Sequence, residues 1–319
     1  GCHTGSRQPI YNEWTTSGHA LVPGQSVIPN MNPASRISAC GRCHSASARL
    51  SLLQGAPLPV GDANVPIVCI TCHDPHQTTA NPAQLLYPLT STADYSMSAS
   101  GSFASQYNPQ INVCAQCHNE RGASWTNWSE PPHQSLQYNM LLGTIGELAS
   151  GTPPNQPGAH SELEKQCVSC HMQIAPYQSE AKPAITGHSV KMQLYNVCIP
   201  CHDDQAQGLV KFMNTLVSNR VFQVTGSLDL WAITKAPAEL RSYGTRAWEY
   251  ANPGGLSSGG PGPTNATLQA LIPVNIQKAR FDLYSVYNDG SGGVHNPFFI
   301  LDLLDTAEAW VRGELNKPR

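Results

Sequence analysis

The chain has 319 residues, enough for two ordinary domains, yet only 40% are hydrophobic, and 26 glycines and 26 prolines interrupt it throughout. Charged residues make up 12% and the net charge is -3, with neither a basic stripe nor an acidic tail, which argues against nucleic acid or a charged membrane surface as partner. No apolar run reaches the length of about eighteen residues that a membrane-spanning helix needs.

Taken from the N-terminus, the first feature is Gly1-Cys2-His3, which has the form of the last half of a Cys-x-x-Cys-His motif. A lipidated or unattached N-terminal cysteine is the alternative. The other ten cysteines fall into five pairs, each followed at once by histidine: Cys40-Cys43-His44, Cys69-Cys72-His73, Cys114-Cys117-His118, Cys167-Cys170-His171 and Cys198-Cys201-His202. This is the c-type haem attachment signature. The two cysteines bond the haem vinyl groups as thioethers, and the adjacent histidine sits beneath the iron as its proximal ligand. Zinc knuckles or redox Cys-x-x-Cys pairs need no histidine at that place. With 12 histidines in 319 positions, five out of five by chance has odds of roughly one in ten million.

Six proximal histidines, counting His3, leave His19, His76, His133, His160, His188 and His295. Twelve histidines fill both axial positions of six haems, so the inventory points to six haems c per chain with bis-histidine ligation and these six as distal ligands. His76 stands out because Cys72-His73-Asp74-Pro75-His76 sets a second histidine just beyond the proximal one, within reach of a neighbouring haem. His133 after Pro131-Pro132 and His188 after Gly187 follow; His19 and His160 rest on the count.

The proximal histidines recur at intervals too short for independent domains and too irregular for a solenoid. The expected fold is mostly irregular, with short helices wrapped around a row of covalent haems, a partly helical C-terminal region and little β structure. Residues 1–202 would be the multihaem module and 203–319 a haem-free region packed on it and supplying His295. Within that region Ala279, Leu283, Val286 and Tyr287 share one face of a helix ending at Asn288-Asp289-Gly290. Ile300, Leu304, Ala307 and Val311 share a face of a second. His295 falls in the turn between them. Leu52, Leu53, Leu85, Leu86, Leu141 and Leu142 are expected to pack on porphyrin, and Trp125, Trp128 and Tyr138 on haem or core. Asn127-Trp128-Ser129 and Asn265-Ala266-Thr267 are sequons of low specificity.

The segments CITCHDPH (Cys69–His76), PHQSLQYNMLLG (Pro132–Gly143), CVSCHM (Cys167–Met172) and DGSGGVHNP (Asp289–Pro297) resemble the multihaem cytochromes of dissimilatory metal-reducing and related microbes. The low charge, the motif at the N-terminal edge and the six-haem count are similar to the extracellular cytochromes that polymerise into filaments. That resemblance implies a homopolymer in which a histidine of one subunit, such as His19, ligates a haem of the next, with other redox proteins or extracellular acceptors as further partners. Attachment of haem to Cys-x-x-Cys-His takes place outside the cytoplasmic membrane. The chain is therefore expected to be exported, to the cell surface or beyond, or to the periplasm, its leader removed or upstream.

An iron with two histidines has no position for substrate and can only gain or lose an electron. The expected function is electron transfer with no catalytic residues. A discrete multihaem carrier has the same chemistry without the polymer. The motifs also resemble the multihaem nitrite- and hydroxylamine-converting enzymes, but no Cys-x-x-Cys-Lys motif occurs and the histidine count leaves no vacant iron.

Overall fold

The computed structural model describes residues 8–25, 28, 30–74, 82–86, 113–151, 154–262 and 266–318. Cys2, His3, His76 and Asn265 lie outside them. Among the described residues the regular structure is helical, and extended pairing is limited to the isolated bridges His73–Leu85, Ala175–Ile185 and Ser179–Lys182. The fold class expected from the sequence is the one observed. The chain divides into two compact units, Gly1–Cys117 with Leu163–Asp203, and His118–Glu162 with Asp204–Arg319.

The first unit is made of short helices joined by loops. Helix α1 spans Gln8–Thr15 and ends in a 3-10 turn, Gly18–Ala20. Helix α2, Ala46–Gln54, starts where the Ser45 hydroxyl accepts from Ala48 N and stops at Gly55, whose φ of 63° closes the helix as glycine does best. The first attachment motif enters through a π-helical turn, Ile37–Gly41, continued by Arg42–His44. Gly41 is required there: a Cβ would lie 2.7 Å from the Cβ of Ala48, so only glycine lets the motif press against α2. The apolar cluster under this motif is small, formed by Met31, Ile37, Ala48 and Ala63.

The second unit contains the long helices. Helix α3, Ala206–Thr234, has 29 residues; α4 is Val274–Asp289 and α5 is Pro297–Leu315. Its core is conventional, with Leu228, Trp231, Leu240, Trp248, Ile276, Leu283, Phe299 and Leu303 in one buried cluster. Apolar side chains thus build a large core in the second unit, in contrast to the small cluster under the first motif. Leu136, Met140 and Ile145 are buried in that same cluster, which is why residues 118–162 join this unit although a cut at 202 would have left them with the attachment motifs. Leu141 and Leu142 are buried, and Trp125 packs against the cluster.

Helix α4 ends at Gly290 as its sequence predicts, but it is buried on more than one face: Arg280, Asp282, Tyr284 and Ser285 are enclosed together with Ala279, Leu283 and Val286. Tyr287, placed on the apolar stripe, is 40% exposed. The cause is that α4 packs against α3, α5, Gln137–Leu142 and the 3-10 segment Ala238–Trp248. Arg280 donates through Nη1 to Trp248 O, Glu249 O and Gln269 Oε1 at 3.0, 3.1 and 2.9 Å and lies over the Tyr250 ring.

Candidate haem-binding sites

Helical turns carry the attachment motifs. Besides the first, Cys69–Cys72 form one turn, Cys114 sits in a helical turn, Gln166–His171 carry the fourth motif and Ile199–His202 most of the fifth. One turn of helix sets the two cysteines of a Cys-x-x-Cys pair on the same side. None of the ten described cysteines is in a disulfide.

Within the first unit the motifs form a continuous series of neighbours. The Cys43 thiol donates to Gln116 O at 3.9 Å, beside Cys117. Cys72 feels the charge of Cys117, the Cys114 thiol is hydrogen-bonded to Cys167, and Cys170 feels Cys198. Burial pushes the Cys72 thiol up to about 11, with Arg49 opposing and Cys117 and Cys69 adding. Burial likewise carries Cys170 to about 11, while the contact with Cys167, followed by burial, holds Cys114 well above the usual thiol range. These surroundings favour neutral sulfur. A thioether, which carries no charge, fits them.

The histidines show what the protein offers an iron. His73 Nδ1 donates to Ala83 O (2.8 Å), His171 Nδ1 to Val190 O (3.0 Å) and His160 Nδ1 to Val294 O (2.6 Å). His188 Nδ1 donates to Thr186 O (3.0 Å), His118 Nδ1 to Gln137 Oε1 (3.1 Å) and His295 Nδ1 to Asp289 Oδ1 (2.7 Å). Such a bond fixes the tautomer with the proton on Nδ1 and presents Nε2, on the opposite edge, as the metal-binding nitrogen. Burial pushes His188 below the usual histidine range and the nearby His73 adds to this, which favours the neutral ligating form.

Two of those acceptors are held in an uncommon backbone conformation. Ala83 and Val190 both have a φ of 55°, left-handed for non-glycine residues, and for β-branched Val190 this is a strained state. Each turns a carbonyl onto the histidine of a Cys-x-x-Cys-His motif. His19 lies in the turn after α1, and its own carbonyl accepts from Ile67 N at 3.0 Å, next to the second motif. His133 is exposed and His44 half-buried, while His202 is exposed in the fifth motif. Among the described residues no three His, Cys, Asp or Glu side chains gather as a zinc centre requires. An iron already held by four porphyrin nitrogens asks the protein for only two more ligands, and the donor set fits that group.

The sequence did not point to the residues that orient these rings. Gln137, Asp289, Ala83, Val190 and Val294 act on histidines through the tertiary fold. Only Asp289 carried a visible signal, as the polar residue closing α4 before Gly290.

Residues 36–215 match the family described as outer membrane cytochrome MtrC/MtrF-like, domains II/IV. The chain belongs to that family. It is thus a multihaem c-type cytochrome of an outer-membrane and extracellular group, and among the described residues no helix is long and apolar enough to cross a membrane. The crystal structure of the outer cell wall cytochrome OcwA is similar, with 22% identity over 95% of this chain and 50% of that one and a TM-score of 0.57. The undecahaem cytochrome from the S-layer of Carboxydothermus ferrireducens is similar at 19% identity, over 89% of this chain and 39% of that one, with a TM-score of 0.54. At these identities the likeness is one of fold, and this MtrC/MtrF-like chain spans half or less of the length of either structure. No curated protein sequence matches it.

Proposed function

We propose that this chain passes electrons along closely spaced c-type haems, each held by two histidines, at the cell surface or outside the cell. The series of neighbouring attachment motifs in the first unit, Cys43 to the Gln116 carbonyl beside Cys117, Cys72 to Cys117, Cys114 to Cys167 and Cys170 to Cys198, supports this reading most directly. Haems bonded to adjacent sulfurs are near enough for electrons to move between them, and saturated irons restrict the chemistry to that transfer. Six haems c is the number proposed, with His3, His44, His73, His118, His171 and His202 proximal and His19, His76, His133, His160, His188 and His295 distal.

Carbon monoxide added to the reduced holoprotein tests it: no adduct is expected, and a substantial Soret shift would instead reveal an open iron and an enzyme. The finer proposal is a subunit of an extracellular filament, with one histidine exchanged between copies. Electron microscopy of the natively secreted protein should then show filaments with a regular axial repeat. Dispersed particles at several salt and protein concentrations would leave a discrete carrier that hands electrons to other redox proteins or extracellular acceptors.

A further inference from the structure

We propose that His73 and His188 are the two axial ligands of a single iron, that of the haem carried by Cys69 and Cys72; this rests on the bis-histidine reading above. Their ring centroids are 6.3 Å apart and their planes are inclined by 31°. A metal-to-nitrogen bond of ~2.0 Å plus ~1.1 Å from that nitrogen to the ring centre puts two trans imidazoles about 6.2 Å apart. Both rings contain the nitrogen-iron-nitrogen axis in such a pair, so an inclination of 31° is simply the twist about it. Each ring also has its Nδ1 committed to a carbonyl, His73 to Ala83 O and His188 to Thr186 O, which leaves Nε2 as the ligand nitrogen of both.

The segment that delivers His188 is built to hold it still. Glu13, on α1, accepts hydrogen bonds from Thr186 N (2.6 Å), Thr186 Oγ1 (2.8 Å) and His188 N (2.8 Å). Gly187 has a φ of 80°, and a Cβ there would come within 2.6–2.9 Å of the Met172 backbone. The next turn places Val190 O on His171 Nδ1. One short stretch, 186–190, therefore supplies a ligand to the haem of the second motif and orients the proximal histidine of the fourth. Such preorganisation keeps ligand geometry unchanged between oxidation states, so little rearrangement accompanies each electron.

The test combines His188→Ala with removal of the second haem. The reduced wild-type holoprotein should bind no carbon monoxide; if it does so substantially, the bis-histidine reading itself fails. His188→Ala should gain one carbon monoxide-binding iron per chain, and the same change in a Cys69→Ala/Cys72→Ala background should gain none. A gain that persists in that background would assign His188 to another haem, and no gain in the intact chain would mean that it ligates none; either overturns the pairing. Should the variants fail to mature, a structure of the wild-type holoprotein decides directly. His188 Nε2 at bonding distance from the iron bonded through Cys69 and Cys72 supports the proposal, and any other sixth ligand refutes it.

Discussion

His295 Nδ1 lies 2.7 Å from Oδ1 of Asp289, whose side chain is only 1% exposed at the end of α4. A carboxylate draws the ring proton more strongly than the carbonyls serving His73, His160, His171 and His188, and so makes Nε2 a better donor to iron. Stronger donation stabilises the oxidised metal. Asp289→Asn retains the shape and removes the charge, and one reduction wave should rise by some tens of millivolts. Protein-film voltammetry reads this, and an unaltered set of waves would remove His295 from the ligands.

Glu13 makes three hydrogen bonds to the loop carrying His188. Glu13→Ala should cost about 1.5–3 kcal/mol of stability in the first unit, the range for hydrogen bonds to a charged group. The amides of Thr186 and His188 should exchange with solvent much faster, as hydrogen-exchange mass spectrometry would record. Protection unchanged at both would show that Glu13 is a bystander.

Val190 pays for its carbonyl's position with a φ of 55°. Val190→Gly keeps the carbonyl and relieves a strain of about 1–2 kcal/mol, partly offset by the greater freedom of glycine when unfolded. The thermal midpoint should hold or rise slightly while the spectrum of the haems stays the same. A clear loss of stability would contradict the assignment of strain.

Arg49 is 3% exposed, donates to Gln116 Oε1 and has Nη1 3.8 Å from the sulfur of Cys117. Its charge also reaches Cys72. A fixed cation among haem attachment sites favours the reduced, less positive iron, so Arg49→Met should lower at least one potential by tens of millivolts, with Arg49→Lys nearer wild type. Voltammetry of the three proteins side by side would show a common profile if the cation plays no part.

Asp282 is fully buried; its Oδ1 accepts from Glu147 N at 2.7 Å and its Oδ2 has no partner. Burial pushes its carboxyl well above the usual range, against the opposing pull of the Glu147 amide. Because the folded state holds this proton more tightly, its contribution to stability is complete below the unfolded value near pH 4 and is lost as pH rises through the folded value. Asp282→Asn should flatten that decline and leave the second unit more resistant to urea at neutral pH. Far-UV circular dichroism across pH is the measurement, and equal slopes for both proteins would count against it.

Much of the chemistry was legible in the sequence because covalent attachment constrains spacing: two thiols reach the vinyl groups at the porphyrin edge while the adjacent histidine reaches the iron. The end of α4 at Gly290 and the buried stripe Ile300, Leu304, Ala307 and Val311 of α5 were legible for a similar local reason, the helical period and a left-handed glycine cap. Helix α3 was not read from its pattern. Its buried positions Val217, Val224, Leu228 and Trp231 are mixed with exposed Phe212, Phe222, Leu230 and Ile233, so the apolar residues mark no single face.

By itself, then, the sequence pointed to c-type haems, as the family confirms, and to the five Cys-x-x-Cys-His motifs as their attachment sites, since each motif is a pattern of near neighbours in the chain. The tertiary structure alone decided that residues 118–162 share a core with α3, α4 and α5, that His188 comes beside His73, and that Glu13, Val190 and Asp289 orient the rings. Those relations join residues far apart along the chain. They depend on how burial and hydrogen bonding bring distant loops together, and no local spacing encodes that.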